Sequence, residues 1–425
     1  MGRTRPLIGN DRQHTARIIT QILTTLYPPV VMQAQGTPNR PAARHAGGTP
    51  SPHPTFAFLV HPLAISDIYR SRPLRFARAL PQPLVERLVA YAPPVYLARI
   101  RGIRSAATGE EIAGLLYSIG TTPVQMLRHP PEFTYRRLVQ TARSAARRGA
   151  RLLGLGAFTS VVGDAGVTVA QRTTVGITSG NTLTVVATLE TIETALAQLG
   201  RNPAQCRVAV IGATGSIGAA CARMLATHMQ QVWLIAPRPE RLHALHQQIR
   251  HAAPHAQLCT STDPNAALDQ VDVVILTTSS LSDQVIDVQR LQPGAVVCDV
   301  ARPPNINQMA ARQRPDVLFI ESGEIRLPGQ PDIGFDIALP PGSAYACLAE
   351  TALLALEHRY GDYTVGRVIL PAQVHELAAM MRKHGLQLTG LHSFGQPLRP
   401  AQLAAVRDAG AQANAGSPPM REIIL

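Results

Sequence analysis

Val208-Ala-Val-Ile-Gly-Ala-Thr-Gly-Ser-Ile-Gly218 is the stretch that decides the fold. An apolar run, Val208 to Ile211, ends on Gly212, and Gly215 and Gly218 follow at three-residue steps. Ala219 to Met229 then continues with helical composition. Strand, glycine turn and helix in that order make the first unit of a dinucleotide-binding fold. Small residues let the backbone approach a pyrophosphate, and the free N–H groups of the helix start receive its charge. The set read from this turn is Gly212, Ala213, Thr214, Gly215, Ser216, Ile217 and Gly218. A tight turn also needs glycine; the correct pattern on both flanks favours the cofactor reading.

Downstream, Gln231 to Ala236 reads as the second strand of that unit, and its end carries Ala236-Pro237-Arg238. Enzymes that bind NAD place an acid there for the ribose 2′-hydroxyl. An acid would repel a 2′-phosphate, whereas Arg238 pairs with one, so NADP (NADPH) is favoured over NAD. A solvated arginine at a helix start is the competing reading, and Pro239 suits a first helical turn. Further strands are expected at Ala256 to Cys259, Val271 to Thr277, Ala295 to Val300 and Val317 to Ile320. Ligands in open parallel sheets bind beyond the carboxyl ends of strands. Thr277, Thr278 and Ser279, together with the segment Asp299 to Asn305 that includes Arg302, are therefore expected along the ribose and nicotinamide side.

Upstream, Phe56 to Pro62 reads as a short buried strand with His61 at its end, and Val95 to Tyr117 as a hairpin turning at Thr108-Gly109. Phe133 to Arg148 has helical spacing, with the arginine pairs Arg136-Arg137 and Arg147-Arg148 read as a solvated face. Two clusters of Gly, Ser, Thr and Asn lie beside apolar runs: Leu153 to Val162, with Phe158, Thr159 and Ser160, and Thr178 to Thr182, with Ser179 and Asn181. Such clusters suit loops over a ligand, or ordinary turns. Thr184 to Leu199 reads as a helix leading into the cofactor unit.

The chain has 425 residues and is 45% apolar, enough for two domains and a sizeable core. Its formal charge is +13, yet Lys383 is its only lysine. Dispersed arginines with 4% aromatics argue against a nucleic-acid partner. Acidic partners remain open: phosphorylated cofactors, an acidic carrier protein, or peripheral contact with anionic lipid. Five cysteines without C-x-x-C or metal-like spacing point to a reducing, cytoplasmic setting and no metal. Residues 1–54 read as a disordered extension, rich in Pro, Gly, Arg and His between Gln35 and Pro54. Ile18 to Met32 is broken by Gln21, Thr24, Thr25 and Pro28-Pro29, and a secretory signal sits poorly with the thiol-bearing cofactor fold that follows.

Cys206, Cys221, Cys259 and Cys298 fall at or inside expected strands and the first helix of the cofactor unit. Cys347 differs: it follows Pro340-Pro-Gly-Ser343 in the first turn of an apolar helix, Ala344 to Leu356. A helix N-terminus lowers a thiol's pKa and favours the nucleophilic thiolate. Glu350, one turn on, shares its face and is placed to position or exchange protons. Burial of an apolar helix accounts for a cysteine equally well. The single lysine excludes a Tyr-x-x-x-Lys dehydrogenase and a first-domain Lys–Asp pair, which leaves thioester reduction through a thiolate as the chemistry best matched to these residues.

Leu155-Gly-Ala-Phe-Thr-Ser160, Thr178-Ser-Gly-Asn-Thr182, Gly212-Ala-Thr-Gly-Ser-Ile-Gly218 and Ala346-Cys-Leu-Ala-Glu350 occur in that order, followed by Leu353-Leu354 and Glu357. With these motifs the chain, from about Phe56 to His392, resembles the long-chain fatty acyl–acyl carrier protein reductases, which form fatty aldehydes. The resemblance implies that Cys347 is the acylated nucleophile, that NADPH donates hydride and that His61 lies near the cleft. It also implies a fatty acyl thioester substrate, on acyl carrier protein or coenzyme A. The chain departs from the family at Asp299-Val-Ala-Arg-Pro303, where cyanobacterial members have Asp-Gly-Gly-Tyr-Pro, and at Ser322-Gly-Glu-Ile-Arg326. The expected architecture is α/β. A catalytic domain, 55–199, is completed by C-terminal helices from 340 to 425 with a flexible tail, and a Rossmann NADP-binding domain spans 200–339. The rivals are an amino- or hydroxy-acid dehydrogenase on the same scaffold and a non-catalytic NADP-binding regulator.

Overall fold

The structure is a computed structural model that describes residues 52–68, 77–282 and 284–416. The expected extension lies outside the described residues up to Ser51, with the signal-like stretch, as does the tail from Ser417; the extension's last residues are described, and Pro54 already belongs to the first strand.

The first sheet is seeded by β1 (Pro54–Val60), whose centre, Phe56 to Leu59, is buried. Helix α1 (Gln82–Tyr91) leads to the hairpin of β2 (Val95–Arg104) and β3 (Glu111–Ser118), which pair antiparallel. Gly109 takes φ +70° in the turn, as expected of that Thr-Gly pair. Helix α2 (Pro131–Ala146) then packs beneath, and β4 (Leu152–Leu155) and β5 (Gly176–Thr178) extend the sheet in parallel from β1. Arg137 of α2 corrects the reading of a solvated arginine face. It is buried, donates to the carbonyls of Ala90 and Phe133, and lies 3.7 Å from the Phe133 ring centroid. Arg136, beside it, does face solvent.

Helix α3 (Asn181–Gln198) starts three residues before the expected point, so Asn181 and Thr182 form its first turn and not a loop. The second sheet follows: β6 (Arg207–Ile211), helix α4 (Ser216–Leu225), β7 (Gln231–Ile235), helix α5 (Pro239–Ala252), β8 (Gln257–Ser261), β9 (Val273–Leu276), β10 (Val296–Asp299) and β11 (Leu318–Glu321). These strands are parallel in the order β8-β7-β6-β9-β10-β11. That is the doubly wound dinucleotide-binding arrangement, with the sheet's order reversing between β6 and β9. The fold class is α/β with a Rossmann sheet.

The chain after β11 is more interleaved than its sequence suggests. A small sheet forms from β12 (Glu324–Arg326), and β13 (Gly329–Asp332) crosses back to pair antiparallel with β2 of the first sheet. The stretch expected to run with the cofactor unit to Leu339 thus returns at Gly329. Next come β14 (Ser343–Tyr345), helix α6 (Ala346–Leu356) and helix α7 (Pro371–His384). Helix α6 packs on β1, β3 and β4 and against α3, and α7 packs against α3 and α6. Then β15 (Gln387–Leu388) completes the small sheet, while β16 (His392–Ser393), β17 (Gln396–Pro397) and helix α8 (Pro400–Gly416) go to the Rossmann side. The C-terminal segment expected on the first sheet is therefore shared between both. No helix among the described residues is long and apolar enough to cross a membrane.

Candidate active site

A cavity of about 730 Å³ opens between the two sheets. One wall is apolar, built from Phe58, Val89, Val95 and Leu97 of the first sheet and α1. The opposite wall carries Gly215, Ser216 and Ile217 from the glycine turn and Thr277, Thr278 and Ser279 from the end of β9. Cys347, at the second residue of α6, lines the cavity between them. The size suits a small-molecule site.

The glycine turn is shaped by close approach. Gly212 takes φ +87°, and a Cβ on Gly218 would stand 2.4 Å from the Gly212 carbonyl oxygen. Thr277 donates to the Ile211 carbonyl at 2.9 Å, tying β9 to the turn. Helix α4 begins at exposed Gly215 without a side-chain cap, so its first N–H groups are open to an anion. These features fit a dinucleotide pyrophosphate. Gly212, Ala213, Thr214 and Gly218 form the turn behind this wall and do not line the cavity; Arg238, exposed at the start of α5, also stands outside it.

Around Cys347 the packing is closer. Gly180 takes φ +72°, and a Cβ there would sit 2.3 Å from both Cα and Cβ of Cys347. The backbone N–H groups of Ala157 and Leu348 point at the sulfur. Ala157 adopts φ +45°, a conformation costly for a residue with a Cβ and found mostly where function holds it. Burial, with a smaller push from the Glu350 carboxylate, raises the Cys347 thiol to about 11 against those two N–H groups. The expectation that the helix start lowers this pKa is corrected: desolvation outweighs the dipole. The resting group is a thiol.

Glu350 does not face the cavity. Fully buried, its carboxylate accepts from the Thr178 hydroxyl, the Thr364 hydroxyl at 3.0 Å and the Leu183 N–H at 2.8 Å. Burial holds its pKa above the ordinary range despite these donors. It ties β5, the start of α3 and the 364 loop to the nucleophile's helix. The proton-exchanging role read from spacing gives way to an anchoring one.

His61 lines the cavity, but both ring nitrogens are engaged. Nε2 accepts the Phe158 N–H at 2.9 Å, which requires Nδ1 to carry the proton and donate to the Pro62 carbonyl at 3.0 Å. Burial lowers its pKa to about 4, so the ring is neutral. It fixes the turn that aims the Ala157 N–H at Cys347. Phe158, Ser160, Ser179, Asn181 and Arg302 all line the cavity. Thr159 does not; it is buried and donates to the Gly156 carbonyl at 2.7 Å. Asn181 donates to the Ser216 hydroxyl at 3.4 Å, linking the two walls. Tyr345 and Thr364 escaped the sequence reading, since a tyrosine and a threonine carry no motif by themselves; Ala157 stood inside the Leu155 to Ser160 motif without being singled out.

Residues 193–321 match the family described as shikimate / quinate 5-dehydrogenase. The chain is 30% identical over 300 residues to the aminotransferase PigE of Serratia sp. (strain ATCC 39006), covering 69% of this chain and 34% of that protein. It thus spans about a third of that relative's length. It is 24% identical over 335 residues to the long-chain acyl-[acyl-carrier-protein] reductase of Synechococcus elongatus, covering 76% of this chain and 92% of that one. Among solved structures, L-tryptophan dehydrogenase from Nostoc punctiforme superposes with a TM-score of 0.36 at 13% identity, over 86% of this chain and 89% of that one. With the strand order above, the chain carries a shikimate-dehydrogenase-like Rossmann domain and is distantly related to an acyl-carrier-protein reductase.

Proposed function

We propose that the chain reduces an acyl thioester to an aldehyde with NADPH, through an acyl-enzyme on Cys347. The observation that carries this reading is the placement of Cys347 on the cavity that the open start of α4 also faces. Gly215, Ser216 and Ile217 would hold the pyrophosphate, Thr277 to Ser279 the ribose side, and Arg238, beyond the end of β7, the 2′-phosphate. Bound NADPH supplies the hydride that turns the acyl group into an aldehyde.

The protein's own part is the thiol step. The Cys347 sulfur attacks the thioester carbonyl, the bond to the carrier sulfur breaks, and the carrier leaves as a thiol. The proton for that thiol comes from Cys347 itself, because His61 has no free nitrogen and Glu350 is committed to its anchors. The N–H groups of Ala157 and Leu348 stabilise charge on the sulfur as the proton departs. A water-poor apolar wall holds the acyl chain and protects the intermediate from hydrolysis.

The aminotransferase name of the Serratia relative does not carry to this cavity. Pyridoxal chemistry uses a lysine Schiff base, and the only lysine, Lys383, pairs with Glu357 at 2.8 Å away from the cavity lining. The test is to incubate the full chain with palmitoyl-CoA without NADPH and weigh the Cys347 peptide. An added palmitoyl mass that vanishes in Cys347→Ser, together with lost aldehyde formation, is expected. No adduct, with wild-type turnover in Cys347→Ser, refutes the reading.

A further inference from the structure

We propose that Arg302 recognises an anionic group on the acyl substrate, either a carboxylate on the chain or a phosphate on the carrier arm. The proposal rests on the thioester reading above. Arg302 stands in the loop after β10 and lines the cavity. That loop is fixed from beneath: the buried Asp299 carboxylate accepts the N–H groups of Ala301, Asn305 and Ile306 at 3.0, 2.6 and 3.1 Å. The guanidinium donates to the Ala301 carbonyl at 3.0 Å and lies 6.0 Å from the Tyr345 ring centroid. Among the described residues no carboxylate lies within ion-pair distance of it, and only the buried Asp299 carboxylate beneath the loop acts on it from farther off.

The two carboxylates on the cavity are engaged by backbone N–H groups, and its other arginine, Arg367, donates to a single carbonyl as Arg302 does. Asp67 accepts the N–H groups of Leu63 and Ala64, Asp336 accepts that of Ala338, and Arg367 donates to the Gly163 carbonyl. Arg302 thus presents most of its five donors to a cavity with an apolar far wall. A planar fork matches a two-oxygen anion, and a half-buried cation is costly until such a partner arrives. An uncharged fatty thioester gives this group nothing to bind.

The experiment compares wild type, Arg302→Gln and Arg302→Lys on three thioesters: S-palmitoyl pantetheine, with no anion; palmitoyl-CoA, with phosphates on the carrier; and the mono-pantetheine thioester of hexadecanedioic acid, with a chain carboxylate. Arg302→Gln is expected to lower kcat/KM at least tenfold on one charged thioester while S-palmitoyl pantetheine stays within twofold. The thioester that suffers identifies the source of the anion, and Arg302→Lys should recover only part of the loss. An equal loss on all three, or a loss that follows weaker NADPH binding, overturns the proposal. Calorimetric titration with pantetheine 4′-phosphate and with hexadecanedioate reads the site without turnover. Binding of one of them by wild type and not by Arg302→Gln is expected even if Cys347 forms no adduct. Binding of neither, or equal binding by both proteins, overturns the proposal independently of the function.

Discussion

Two helix starts face the same cavity, and they differ in how much water they keep. Both α4, beginning at Ser216, and α6, beginning at Ala346, lack a side-chain cap and present a positive dipole end, but at α6 the Ala346 N–H is already bonded to the Gly323 carbonyl at 2.7 Å. At α4 the preceding Gly215 is exposed, and the start is open to an incoming anion. At α6 the first turn is packed under Gly180, and the thiol there is held near 11 by burial. The same backbone arrangement attracts a ready-made anion in one place and fails to create one in the other. Partial charges at a helix end contribute about 0.3–1 kcal/mol at an exposed site; removing a thiolate from water opposes this by more. The buried start needs a substrate before its charge appears.

Alkylation kinetics break that comparison most directly. With Cys347 near 11 against an ordinary 9.0, its reaction with iodoacetamide at pH 8 should run about 100-fold slower than that of a free cysteine. The rate should climb roughly tenfold per pH unit until the thiol titrates. A plateau below pH 8, followed by mass spectrometry of the Cys347 peptide, would mean that the dipole prevails after all.

The second expected effect is at Gly180. Alanine there must take φ +72° and place its Cβ against Cys347. The backbone conformation alone costs about 1–2 kcal/mol, so Gly180→Ala should slow acylation by tenfold or more and lower the melting temperature. The third is at Gly218, where a Cβ meets the Gly212 carbonyl and the Thr277 hydroxyl, both on the proposed cofactor side of the cavity. Gly218→Ala should raise the Kd for NADPH several-fold, toward tenfold. Adduct formation on Cys347 in the absence of NADPH should be unchanged. A loss of acylation in that variant would show that the two starts are not independent.

The open start was legible in the sequence because its parts are contiguous: Val208 to Gly218 holds strand, turn and helix within one short window. Cys347 was legible as a residue but not as an environment. Beyond its neighbour Leu348, its surroundings come from Ala157 and Gly180, and behind them from His61 and Thr364, which are far apart in the chain. Glu350 shows the same limit. Spacing of one helical turn put it on the nucleophile's face, whereas its partners Thr178, Leu183 and Thr364 come from other elements. Helical periodicity also could not tell that Arg137 lies under Ala90 and Phe133 while its neighbour Arg136 is solvated.

The return of β13 to the first sheet has a mechanical consequence. The chain passes between the sheets at 199–206, again between β11 and β13, and once more between β15 and β16. Three strands of backbone tie the halves together where one would leave a free swivel. Opening of the cleft is then confined to a motion that all three tethers tolerate, a narrow scissoring about a shared axis. A protease cut at the Gly200–Ala204 connection alone would leave the halves interlaced and travelling as one particle.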